Sequence, residues 1–228
     1  LKTTTLLYEE IIMAGFKYIL FDLDGTVINS EKGITNSVKY ALNKLEKPIP
    51  PYKTLRRFIG PPLSTGFSEI TGLDSETAKT AVKYYREYYP KKGIFECVLY
   101  NGVTELFAAL EKQGKKLILA TSKPEVFAKR ITKHFGLDKY LSFTAGATFN
   151  KERDSKEKVI EYALKSAEIT DRTEAVMVGD RMHDISGAKA NGIKSIGVLY
   201  GFGSKEELLN AGADYIAETA KDILKYVE

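Results

Sequence analysis

The 228-residue chain has a single cysteine, Cys97. That excludes an intrachain disulfide and any multi-cysteine zinc site, and it suits a reducing compartment. Long apolar runs are also missing: stretches such as Tyr18 to Phe21 and Leu117 to Ala120 fall far short of the about 18 residues that a membrane-spanning helix needs. Charge of one sign is not in excess, with 34 Lys and Arg against 30 Asp and Glu giving +4. Lys151 to Lys158 alternates in sign, so there is no basic stripe of the kind that grips a nucleic-acid polymer. No internal repeat is present. Glu9 and Glu10 interrupt any signal-peptide pattern. Residues 1–13, up to the methionine ahead of the first apolar strand, are expected to be an extension without a functional role. A cytoplasmic location and no membrane partner are the corresponding expectations.

What remains is ordinary globular material, 43% apolar and 28% charged, enough for a real core. The length suits one large domain or a domain with a sizeable insertion, at about 100 to 200 residues per domain. Short apolar runs at Lys17 to Phe21, Lys116 to Ala120, Ala175 to Val178 and Ser195 to Leu199 read as buried parallel strands. Helical patterns at Thr104 to Lys112, Val126 to His134, Lys156 to Ala167 and Ile185 to Ala190 alternate with them. This rhythm predicts an α/β fold, a doubly wound parallel sheet. From about Glu31 to Phe95 it breaks. Helical periodicity recurs there at Ile34 to Leu45 and Ser75 to Tyr89 with no comparable buried strand, so 31–95 is expected to be an inserted helical domain between core segments 14–30 and 96–228. Pro48, Pro50 and Pro51 should end its first helix, and Pro90 with Gly93 its last. Tyr84, Tyr85, Tyr88 and Tyr89 fall at helical spacing and are expected to pack within the insertion.

The chemistry-bearing residues sit where apolar strands run out. Phe21-Asp22-Leu23-Asp24-Gly25-Thr26 puts two carboxylates two residues apart, on one side if strand alternation continues. In an open parallel sheet, ligands bind beyond the carboxyl ends of the strands. Gly25 would admit close backbone approach to a ligand; an Asx turn with solvated acids is the ordinary structural alternative. An EF-hand loop fails, because Val27 and Gly33 occupy its required Gly and Glu positions. A second acid pair, Asp180 and Asp184, follows the strand ending in Val178-Gly179, where helix capping by Asp180 is the alternative. Carboxylates converging at one edge repel unless a hard cation or a proton compensates, and an all-oxygen donor set favours Mg2+ over zinc. Between the pairs, Thr121 and Ser122 bring hydroxyls to the same edge. Lys156 begins a helix 24 residues before Asp180 and could carry positive charge to a phosphate, with Lys158 the competing choice.

The ordered set Asp22/Asp24, Thr121, Lys156 and Asp180/Asp184 resembles the haloacid dehalogenase superfamily of aspartate-nucleophile hydrolases over about residues 16–227, with the insertion in the place of that superfamily's helical cap. Ile34-Thr35-Asn36-Ser37-Val38, Arg56-Arg57-Phe58-Ile59-Gly60-Pro61-Pro62-Leu63 and Gly197-Val198-Leu199-Tyr200-Gly201-Phe202-Gly203 are similar to its phosphoglycolate phosphatase and 5'-nucleotidase-like branch.

The resemblance implies that Asp22 attacks phosphorus to form an aspartyl-phosphate and that Asp24 is the general acid and base. It implies that Thr121 and Lys156 hold phosphoryl oxygens, with Gly25, Thr26 and Ser122 beside the substrate. Mg2+ would be bound by Asp180, Asp22 and the main-chain carbonyl of Asp24, with Asp184 supporting its shell. The substrate would be a small phosphate ester. Asp24 argues against carbon–halogen cleavage, and Pro61 and Pro62 stand where phosphonate hydrolases would offer a cap lysine. A phosphosugar mutase shares the motifs and stays open, as does a non-catalytic phosphate-ligand binder on the same fold. Arg56 or Arg57 would reach the substrate from the cap. Gly201 to Gly203 could form a loop near the site but lacks the third glycine of a dinucleotide fingerprint, so no NAD role follows. His183, His134 and Cys97 are expected to be structural or solvated.

Overall fold

The computed structural model describes residues 15–60, 63–150 and 152–227; the extension expected at 1–13 and the Pro61-Pro62 turn lie outside them. The chain forms two compact units, one holding the segment through Ile28 together with Leu99 onward, the other Asn29–Val98. The short strands Ile28–Asn29 (β2) and Val98–Leu99 (β3) lie at the two crossings.

The larger unit is built on a six-stranded sheet: Tyr18–Phe21 (β1), Lys116–Pro124 (β4), Leu141–Ala147 (β5), Ala175–Gly179 (β6), Lys194–Val198 (β7) and Tyr215–Ala217 (β8). Its order is β5-β4-β1-β6-β7-β8, and every pairing is parallel. The chain leaves β1 toward β4 and β5 and then returns to its other side with β6, so the order reverses at β1. That is the topological switch point at which α/β sheets open a crevice.

The central strands β1 and β6 are apolar along their length because both faces are covered. Leu20, Ile118, Ala120 and Met177 join a buried cluster with Val159, Ile160, Ala163, Leu164 and Ala188, contributed by helices Lys156–Ser166 and Met182–Ala190. One residue on in β1, Phe21 packs against Phe107 of helix Val103–Lys112, with ring centroids 4.8 Å apart. Burying a side chain of this size stabilises by roughly 1.5–3 kcal/mol.

The expected strands and helices of this unit are present, with bounds shifted by a few residues. β5 and β8 were not anticipated. They are the edge strands, and Leu141-Ser142-Phe143-Thr144-Ala145-Gly146-Ala147 dilutes its apolar residues with small and polar ones.

The smaller unit is helical: Glu31–Lys44 (α1), Tyr52–Leu55 (α2), Leu63–Thr71 (α3) and Ser75–Tyr88 (α4). Asp74 caps α4 by accepting hydrogen bonds from the Glu76 and Thr77 amides at 3.0 Å each. Tyr85 and Tyr89 are buried and stacked, 5.3 Å between centroids, whereas Tyr84 and Tyr88 are only half-buried, so two of the four tyrosines pack inside this unit.

Candidate active site

Register decides which strand ends meet. Phe21 pairs with Leu119 on one side and Val178 on the other, and the Asp22 amide donates to the Val178 carbonyl at 2.9 Å. Asp22 therefore emerges level with Ala120 and Gly179, one residue before Thr121 and Asp180 on the neighbouring strands. Asp22, Asp180 and Asp184 are all buried, and one oxygen from each lies within 4.8 Å of the others.

Asp180 is the end of β6 turned inward. Its Oδ2 accepts the Phe202 amide at 2.7 Å and its Oδ1 accepts the Thr26 hydroxyl at 3.4 Å. It caps no helix. The helix begins at Met182 with Arg181 as its N-cap, and Asp184, in the first turn, accepts the Arg181 amide at 3.0 Å. Gly179 makes this possible, since a Cβ there would sit 2.2 Å from the Asp184 carboxyl carbon.

Lys156 resolves the choice between the two lysines. Its Nζ donates to Asp22, lies 2.7 Å from Asp184 Oδ1 and donates to the Ala120 carbonyl at 3.1 Å, whereas Lys158 is exposed and pairs with Asp154. Burial works against the lysine's charge, yet Asp184 and Asp22 outweigh it and hold its pKa above the ordinary lysine value. One cation does not balance three carboxylates. Burial raises the Asp22 pKa to about 6; Lys156 opposes the rise and Asp184 adds to it. Burial, with repulsion from Asp184 and Asp22, raises Asp180 to about 8. A buried, under-neutralised set of hard oxygen donors fits a divalent cation of the Mg2+ type.

Asp24 is handled separately. Strand geometry ends at Phe21, so the alternation expected to align the two acids does not reach Asp24. The Leu23 carbonyl instead accepts the Val27 and Ile28 amides at 3.0 and 2.9 Å in a tight loop. The Asp24 carboxylate is outside the acidic group and pairs with Lys123 at 2.7 Å, which leaves its main-chain carbonyl as the atom the sequence offers to a metal. Thr121 is buried, and its hydroxyl accepts the Lys123 amide at 3.2 Å; Ser122 is exposed. Thr26 is buried with its hydroxyl on Asp180. Gly25 has φ +92°, and a Cβ there would meet the Asp180 carboxylate at 2.2 Å. Arg56 and Arg57 are exposed residues of the smaller unit, where Arg56 pairs with Glu31 at 2.7 Å. His183 and His134 are exposed, and the Cys97 thiol donates to the Ile94 carbonyl at 3.4 Å.

Lys123 escaped sequence reasoning. The loop Tyr200–Gly203 is expected near the site from its glycines, but the sequence does not show what it touches there. A Cβ on Gly201 would lie 2.3 Å from the Gly25 carbonyl oxygen, and one on Gly203 would lie 1.9 Å from that of Asp180. The loop backbone thus packs directly on the acid-bearing turns, and the Tyr200 hydroxyl donates to the Thr26 carbonyl at 3.1 Å. Two glycines flanking an aromatic beyond a strand end were the available signal.

Residues 19–198 match the family model described as haloacid dehalogenase-like hydrolase. A protein of Pseudomonas aeruginosa named 5'-nucleotidase is 43% identical over 197 residues, 86% of this chain and 89% of the relative. The tyrosine-protein kinase PtkA of Mycobacterium tuberculosis is 36% identical over 91% of this chain and 68% of its own length. Among solved structures, a putative phosphatase from Clostridium difficile superposes with a TM-score of 0.88 at 42% identity, covering 94% of this chain and 99% of that one.

Proposed function

Because the chain belongs to the haloacid dehalogenase-like hydrolase family, we propose that it is a phosphatase acting on a small phosphate ester of the 5'-nucleotide or phosphoglycolate type, through an aspartyl-phosphate on Asp22. The observation that carries this reading is the division of the two acids of one loop: Asp22 lies in a buried acidic group against Lys156, while Asp24 stands apart on Lys123. Two carboxylates in contrasting surroundings suit two roles.

In the first step an Asp22 carboxylate oxygen attacks phosphorus and the bond to the ester oxygen breaks. Asp24 gives a proton to the departing alcohol. In the second step Asp24 takes a proton from water, whose oxygen attacks phosphorus and releases Asp22 and inorganic phosphate. Lys156 and Thr121 hold the phosphoryl oxygens, and burial of the cluster keeps competing water away from the charge. Mg2+ bound by Asp22, Asp180 and the main-chain carbonyl of Asp24, with Asp184 in support, would supply the neutralisation that lets an anionic ester approach an anionic nucleophile. The loop Tyr200–Gly203 fixes Asp180 for that role.

The test is phosphate release from nucleoside 5'-monophosphates, phosphoglycolate and sugar phosphates, with Mg2+ or EDTA, for the wild type and Asp22→Asn. Turnover that needs both Mg2+ and Asp22 is the expected result. Isomerised sugar phosphate without release would make the protein a mutase. Transfer from ATP to a protein tyrosine, the reaction in the name of the PtkA relative, would replace hydrolysis. No turnover on any ester would leave a binding role.

A further inference from the structure

Lys123 is a buried cation outside the group around Lys156. Its side chain is 7% exposed, and its Nζ lies 2.7 and 3.0 Å from the two oxygens of Asp24, a carboxylate that is itself 21% exposed. A lysine so enclosed requires an anionic or hydrogen-bonding partner, and Asp24 is the one this loop offers. The backbone is shaped to bring the two together. β4 runs on to Pro124 beyond its core, and its register against β5 shifts between Thr121 and Pro124, an irregularity of the kind that re-aims a side chain at a strand end. The Thr121 hydroxyl then fixes the turn by accepting the Lys123 amide. Thr121, Lys123 and Asp24 form a chain of contacts across the mouth of the switch point, parallel to the Lys156–Asp22 pair.

We propose that Lys123 is a positioning residue that holds the Asp24 carboxylate out of the Asp22–Asp180–Asp184 group and aims it at the ester oxygen. The proposal rests on the reading of Asp24 as the group that protonates the leaving alcohol. Among the described residues Lys123 is the side chain that pairs with this carboxylate, so its loss frees Asp24 to turn and the proton arrives from a scattered set of positions. The loss should therefore depend on how much the leaving group needs a proton. An aryl phosphate expels a stable phenolate unaided; an alkyl phosphate expels an alkoxide only with protonation.

The experiment compares rapid-quench and steady-state kinetics of wild type, Lys123→Ala, Lys123→Met, Lys123→Arg and Asp24→Asn on an aryl and an alkyl phosphate, with melting temperature and Mg2+ titration as controls of the fold and the acidic group. For Lys123→Ala and Lys123→Met the expected result on the alkyl ester is a kcat lower by about a hundredfold, with KM nearly unchanged and no burst. On the aryl ester a burst of phenolate should precede slow turnover, because attack by Asp22 survives while the water step lags. Asp24→Asn should behave the same way, and Lys123→Arg should regain part of the alkyl rate. Equal losses in the rate of the first, phosphoryl-accepting step on both esters, with no burst on the aryl one, or a raised KM with kcat intact, would overturn the proposal, the latter making Lys123 a substrate contact. If Asp24→Asn shows the contrast and the Lys123 variants do not, the positioning role alone fails. If Asp24→Asn lacks it, the acid–base reading fails.

Discussion

The Lys156 ammonium stands between Asp22 and Asp184, paired with both, although 134 residues separate it from Asp22 in the chain. The same nitrogen donates to the Ala120 carbonyl, so one cation joins β1, β4 and the helix that follows β6. Removing it leaves three buried carboxylates without their shared counter-charge.

Lys156→Ala should therefore destabilise the protein by about 3–5 kcal/mol in metal-free buffer, as loss of one partner from a buried pair does. Lys158→Ala, on the exposed side of the same helix, should stay within about 0.5 kcal/mol of the wild type. Urea unfolding of both variants checks this contrast. Equal effects would contradict the assignment of Lys156 to the site.

Gly203 faces the Asp180 backbone so closely that a methyl group cannot be added without moving one of them. Gly203→Ala should weaken Mg2+ binding at least about tenfold while leaving the sheet folded, since supporting contacts of a metal site commonly carry that much. Calorimetric titration gives the affinity and circular dichroism the fold. Wild-type affinity in a folded Gly203→Ala protein would mean that the loop does not position Asp180.

Acidity in the cluster makes metal-free stability depend on pH. Burial raises Asp180 to about 8 and Asp22 to about 6, so over this window the folded protein holds protons that the unfolded chain has released. Stability must then fall as pH rises from about 4 toward 8, by up to about 1.4 kcal/mol per pH unit for each titrating group. Mg2+ bound at the proposed site would displace those protons, so its stabilising effect should be larger at pH 8 than at pH 6. Melting curves in EDTA and in Mg2+ at several pH values test both statements. A flat profile in EDTA would refute the first.

Arg153 braces the approach to Lys156. Its guanidinium donates to the Gly146 carbonyl at 2.9 Å and to Glu125 at 3.0 Å, and it lies 3.9 Å over the ring of Tyr162. Arg153→Ala should cost about 1–3 kcal/mol and lower kcat more than it raises KM, because the loop before Lys156 loses its anchor while the acids stay in place. Lys at this position should restore little, lacking the planar fork that serves two acceptors at once.

Much of this was legible from local pattern. An apolar run ending in Asp22-Leu23-Asp24 and another ending in Gly179-Asp180 are readable because burial on both faces makes strands continuously apolar and leaves polar groups only at their ends. The parallel α/β class and the placing of Asp22, Asp180 and Asp184 at strand ends follow from that. Pairing does not. That Lys156 and not Lys158 enters the cluster, that Asp24 leaves its neighbour for a lysine 99 residues away, and that a glycine loop lies on Asp180 are set by strand order and register. Local periodicity reports which face of an element is buried; it carries no information about which distant element will be there to meet it.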